Sequence, residues 1–193
     1  MIDGFSLYPA RTAADFAEGR SLRDEIYRTR LGLDTRQWHQ EDARDQAGYI
    51  FLLKAGAVLV GTGRAVRTDS PLCEMRELGQ LPTSLQAATD ACEVGRIATR
   101  RCSNEIPTSM ILLGLGAKWL LQHTTLRRYV AYAKVSVLWL YDRVGAVDLG
   151  TRFYIPSRGN FEYGVVLGEL ADAAAAVDQF GAEAINRSPF EAR

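Results

Sequence analysis

CEVGRIAT, residues 92–99, is the stretch on which the fold turns. Apolar residues of strand type flank Gly95, so the segment reads as a buried strand interrupted by a glycine. Inside a strand, glycine marks a bulge or the close approach of a ligand. A few residues on, Pro107 suits the first position of a helix, and the helix is expected to run to about Gln122. Met110 to Leu113, Leu115, Trp119, Leu120 and Leu121 make it apolar nearly all round. Such a helix is buried against a sheet. Strand, short connection and buried helix therefore sit at the middle of an α/β unit.

The flanks extend this unit. Upstream, Gly48–Leu53 and Val58–Val66 read as two strands joined by a tight hairpin at Ala55-Gly56. Before them lie a short strand at Phe5–Tyr8 and a helix from Arg11 to near Gly32, with Phe16, Leu22, Ile26 and Tyr27 along one stripe. Leu33–Gln46 reads as polar and irregular, and Thr68–Asp90 as a long connection with one short helix at Ser84–Ala88. Downstream come a strand at Tyr129–Ala133, a helix at Val135–Val144 stopped by Gly145, and a strand pair, Val147–Ile155 and Phe161–Leu167. An alanine-rich amphipathic helix follows at Leu170–Phe180. The order β-α-β-β-β-α-β-α-β-β predicts a mixed α/β sheet in one domain, residues 1–168, with a C-terminal helix and tail at 169–193.

Bulk properties exclude several classes. The 193 residues carry 23 basic and 23 acidic side chains, so no global field draws the chain to nucleic acid or membrane, and polyanion contact needs a local patch. Cys73, Cys92 and Cys102 show no C-x-x-C spacing, and His39 and His123 lie far apart. No metal site is expected, and the thiols read as buried and reduced. Neither a signal peptide nor a membrane-length apolar run is visible, which predicts a soluble cytoplasmic protein without membrane association.

Ordered polar residues carry a family resemblance. Arg23 lies on the first long helix, Asp42 and Asp45 in EDARD, Arg64 at the end of GTGR, Glu93 and Arg96 in EVGR, and Tyr141 in LYDRVGA. Together they resemble the GNAT acyltransferase superfamily, in the branch holding acyl-homoserine-lactone (autoinducer) synthases and N-acyl amino acid synthases. Leu33 stands where autoinducer synthases usually carry tryptophan, although Trp38 is near. RRCSNEIPT (100–108) lacks the superfamily's glycine-rich pyrophosphate loop.

The resemblance implies a mostly antiparallel, GNAT-like sheet whose middle strands splay apart, flanked by helices. It also implies transfer of an acyl group from an acyl thioester, carried by an acyl carrier protein or coenzyme A, to a small amino-acid-like amine. An aminoacyl-tRNA is the variant donor, and a non-catalytic ligand-sensing or partner-binding module the variant reading; no cofactor is expected to be tightly bound. Val94, Gly95 and Ile97 would face the donor carbonyl with backbone N–H groups, and Gly95 would permit a bulge.

Glu93 is the candidate general base, directly or through a water, or else the ion-pair partner of Arg96 or Arg64. Tyr141 is a candidate proton donor to the leaving group, or a packed helix tyrosine with a wet tip. Arg23, Asp42, Asp45, Arg64 and Trp38 are expected at the substrate, the aspartates being alternatively solvated loop charges. Arg100, Arg101 and Thr108 are expected near the donor's phosphates. Arg100, Arg101, Lys118, Arg127, Arg128 and Lys134 form a basic group that suits a carrier protein, coenzyme A phosphates or a tRNA, or is simply solvated. Cys102 is a weak candidate nucleophile, with no histidine partner visible in sequence.

Overall fold

The computed structural model describes residues 4–35, 41–102 and 106–186, without the side chains of 41, 42 and 181–186. Along the chain the elements are β1 (Phe5–Pro9), α1 (Ala13–Leu31), α2 (Glu41–Ala47), β2 (Tyr49–Ala55), β3 (Val58–Arg67), α3 (Glu74–Glu77) and β4 (Ala91–Thr99). They continue with α4 (Thr108–His123), β5 (Arg128–Lys134), α5 (Leu138–Asp142), β6 (Val147–Tyr154), β7 (Glu162–Glu169) and α6 (Leu170–Asn186). One sheet runs in the order β1-β2-β3-β4-β5-β7-β6. Every neighbouring pair is antiparallel except β4 and β5, which are parallel.

Local chemistry sets α1. Thr12 and Asp15 form a reciprocal capping box, and Gly32 takes the left-handed conformation (φ 65°) that ends the helix. Leu22 and Ile26 then face Ile50, Leu52 and Ala98 on one side of the sheet. The other side is covered by α4 and α6, with Met110, Ile111 and Leu120 packed among Phe51, Val60, Cys92 and Val166. The two helices touch closely at Gly114, where an added Cβ would lie 2.4 Å from Val177 Cβ.

Four expectations change. Leu33–Gln46 is not irregular throughout, because α2 occupies its end. The connection before β4 holds α3 and a 3-10 turn at Thr83–Leu85 in place of a helix at Ser84–Ala88. Val135–Val144 divides into a 3-10 turn (Val135–Val137) and α5. Cys73 and Cys92 are buried, but Cys102 is exposed. Among the described residues, no helix is long and apolar enough to cross a membrane.

Candidate active site

β4 and β5 pair only at Ala91–Arg128, Cys92–Tyr129 and Glu93–Val130. Beyond Glu93 they separate. Each keeps its outer partner to the end: β4 stays on β3 through Thr99, and β5 stays on β7 through Lys134. The gap opens a cavity of about 310 Å³. Gly95 to Thr99 line one wall and Tyr132 to Lys134 the other; Tyr27, Arg30, Leu31 and Leu33 close one end, and Ser109, Leu140 and Tyr141 the other.

A bulge shapes the β4 wall. Arg64 opposes Gly95 and Thr62 opposes Ala98, so Arg96 and Ile97 together face Gly63. The bulge lies beside Gly95, which sequence marked as permitting one, and the left-handed residue in it is Arg96, with φ 56°. Among the described residues Arg96 is the only non-glycine with positive φ, a conformation that costs roughly 1–3 kcal/mol and persists where surroundings over-determine it.

Those surroundings are a buried ion cluster centred on Glu74. Its Oε1 accepts from Arg96 Nη2 at 2.8 Å, from Arg44 Nη1 at 3.2 Å and from Arg158. Its Oε2 accepts from the Tyr132 hydroxyl at 2.6 Å. Tyr132 oxygen in turn accepts from Arg96 Nη1 at 3.2 Å and from Arg158. Alongside, Asp45 takes both Arg23 guanidinium nitrogens, at 3.1 and 2.6 Å, and Arg64 Nη1 at 3.1 Å. Burial alone would raise the Glu74 carboxyl, but Arg96, Arg158, the Tyr132 hydroxyl and Arg64 outweigh it and hold it at about 2.

Glu93 lies below this cluster, 2% exposed and outside the cavity wall. Its Oε2 accepts from Met75 N at 2.7 Å and from Cys73 Sγ at 3.2 Å, while Oε1 points toward Gly95. Glu93 was expected as general base, directly or through a water; its carboxylate instead ties α3 to β4 and does not line the cavity. Burial, then the charge of Glu74, raises its pKa.

The two glutamates act on stability with opposite signs. Glu74 contributes stability above the ordinary value of ~4.3 that is lost as pH falls toward 2, whereas Glu93 contributes below ~4.3 and loses that contribution as pH rises through its elevated value. Glu93→Gln is thus expected to gain melting temperature relative to wild type between about pH 4 and pH 7. Thermal unfolding at both pH values checks this, and a constant difference contradicts it.

Other expected residues are redistributed. Arg96 faces the cavity, as does Tyr141, whose phenol burial pushes up and so keeps protonated. Arg23, Asp45 and Arg64, expected at the substrate, serve the ion cluster and do not line the cavity. Asp42 lies on α2 with its side chain outside the described set, and Trp38 lies outside the described residues. Gly95 and Ile97 line the cavity, and Ile97 O accepts from the Tyr27 hydroxyl at 3.3 Å; Val94 instead lines a small apolar void of about 30 Å³ under α4.

The basic group does not form one patch. Arg100 pairs with Glu25, Lys118 with Asp178 and Arg128 with Asp90, and Arg127 caps the Thr124 and Leu126 carbonyls. Arg101 is exposed, and Thr108 is buried, accepting from Cys102 N at 3.2 Å. Ser109, in the first turn of α4, is the residue there that reaches the cavity. Glu74, Arg44, Tyr132 and Arg158 were missed from sequence. Among the described residues no cluster of His, Cys, Asp and Glu could hold a metal.

No family model and no curated protein matches the sequence. Solved structures do match the fold. The AHL synthase LasI aligns with a TM-score of 0.67 at 17% identity, over 90% of this chain and 93% of that one. The CoA-dependent acyl-homoserine lactone synthase MesI aligns at 0.60 and 15% identity, over 92% and 95%. FeeM, an N-acyl amino acid synthase from uncultured soil microbes, aligns at 0.60 and 13% identity, over 89% and 94%. This chain has their fold: the seven-stranded mixed sheet, parted at its parallel pair and capped by a C-terminal helix, as the resemblance implied.

Proposed function

We propose that this chain, which shares the fold of GNAT acyltransferases, is an N-acyltransferase that moves an acyl group from a carrier-protein or coenzyme A thioester to the amine of a small amino-acid-like acceptor. The observation that carries the reading is the parting of β4 and β5 after Glu93 into a cavity that passes between the two faces of the sheet. An extended pantetheine arm fits such a slot, because each strand retains one free edge whose backbone groups need partners. The synthase activities of LasI, MesI and FeeM support the same chemistry.

In this reading the thioester carbonyl lies beside the bulge, and backbone N–H groups of Gly95 to Ile97 meet the developing oxyanion. Arg96 and Arg158, held by Glu74 and Tyr132, line the cavity, and their positive charge favours an acceptor carboxylate there. Tyr141, still protonated, hands its proton to the departing thiolate. Acyl transfer then needs no metal and no tightly bound cofactor.

The test incubates the pure protein with acyl-carrier-protein, acyl-CoA and aminoacyl-tRNA donors and a pool of amines, reading new amides by mass spectrometry. A new amide from a thioester donor, insensitive to ribonuclease, is expected. Product from the tRNA donor alone would transfer the reading to an aminoacyl ester, although the pairing of Arg100, Lys118 and Arg128 with acids disfavours it. No amide from any donor would leave a non-catalytic ligand-sensing or partner-binding module.

A further inference from the structure

We infer that Lys134 is the group that takes the proton from the acceptor ammonium, an inference that rests on the N-acyltransferase reading. An ammonium has no lone pair, so it attacks a carbonyl only after losing a proton to a group within reach. Glu93, the carboxylate expected to do this, does not line the cavity. Among the described residues lining it there is no carboxylate and no histidine.

Lys134 ends β5, on the wall across the gap from the bulge. Its Nζ rests 3.0 Å from the centroid of the Phe161 ring. Among the described residues no hydrogen bond or ion pair holds it, in contrast to the chain's other lysines: Lys118 pairs with Asp178 and Lys54 lies against Glu18 and Tyr8.

Among the described residues lining the cavity there is no anion to hold a resting proton on Lys134. Arg30 from α1, Arg96 from β4 and Arg158 from the β6–β7 connection are cations. The other titratable groups in the wall are phenols: Tyr27 of α1, Tyr132 of β5, Tyr141 of α5 and Tyr163 of β7. Partial burial lowers Lys134 from the usual lysine value, toward that of the amine it would deprotonate. An ordinary carboxylate at ~4.3 lies several units below an α-amino group at ~7.7–8.0, whereas burial moves the lysine toward that range from above. The Phe161 face is in place for the ammonium that forms when the proton arrives.

The step balances without a further reagent. The acceptor ammonium gives one proton to neutral Lys134 Nζ, its nitrogen forms the C–N bond, and the carbonyl becomes a tetrahedral oxyanion. As the C–S bond breaks, the sulfur leaves as thiolate and is protonated through Tyr141, whose phenol regains a proton from the acylated nitrogen. Amide and thiol leave, and Lys134 returns its proton to solvent.

The decisive variant is Lys134→Arg, which keeps the cation and the ring contact but cannot deprotonate at working pH. With melting temperature unchanged, its kcat is expected to fall about 100-fold or more, and the pH limb of the wild type is expected to disappear. Lys134→Ala should be rescued by trimethylamine, a base that cannot itself be acylated. Labelling with an amine-reactive sulfonate should modify Lys134 at lower pH than Lys54 and Lys118. Turnover of Lys134→Arg within about threefold of wild type with the same pH limb, no trimethylamine rescue, or labelling in step with the other lysines overturns the inference alone. Absence of amide from the wild type overturns the acyltransferase reading with it.

Discussion

Glu74→Ala is expected to lower the unfolding midpoint by about 6–20 °C. The residue is 3% exposed, and its two oxygens serve Arg44, Arg96, Arg158 and the Tyr132 hydroxyl. Removing the carboxylate leaves those guanidinium groups buried beside one another. Breaking a buried pair from one side costs about 3–5 kcal/mol, and each kcal/mol shifts the midpoint by about 2–4 °C in a chain of this size. Glu77→Ala is the control. It removes a carboxylate from Arg44 that is 57% exposed, so its loss is expected to stay within about 1 kcal/mol. Circular dichroism melts of both variants read the contrast, and equal midpoints would show that the cluster is not what holds α3 to the sheet.

The second large effect is on the cavity. Ala133 lies on the β5 wall and is half-buried there. Ala133→Trp pushes an indole into the space between the strands, and kcat/KM is expected to fall at least 100-fold, about 2.7 kcal/mol or more of transition-state binding. Stability should change little, because the ring enters open space in place of a packed core. Ala133→Ser, nearly the same size, should stay within a few-fold of wild type. Comparable losses in both variants would mean that the position matters for strand geometry alone.

How far the fold was readable follows from what each element buries. CEVGRIAT, the hairpin at Ala55-Gly56 and the apolar α4 announce themselves because they bury hydrocarbon with regular spacing. Short helices α2 and α3 bury charge: Arg44 and Asp45 on one, Glu74 on the other. In sequence such residues look like a solvated surface, so EDARD and CEMRE gave no helical stripe. Their partners lie far along the chain, Arg23 for Asp45 and Arg158 for Glu74, and no local pattern links them.

Site residues divide the same way. Arg96 and Tyr141 were found through their motifs, and both face the cavity. Glu93 was found, but its distance from the cavity depends on the β4 bulge and on α3 folding over it. Lys134 was legible only as one member of a basic group. The acids that neutralise Arg100, Lys118 and Arg128, and the gap that leaves Lys134 with Phe161, belong to tertiary structure. Arg158, in a Pro-Ser-Arg-Gly turn, carried no signal beyond a loop.

Titration of an acyl-pantetheine thioether, which cannot be cleaved, into the wild type and Ala133→Trp puts the donor slot to the most direct test. Calorimetry is expected to register saturable binding to the first and at least 100-fold weaker binding to the second. Equal affinity for both would locate the arm somewhere other than the opening between β4 and β5, and the proposed chemistry would lose its site.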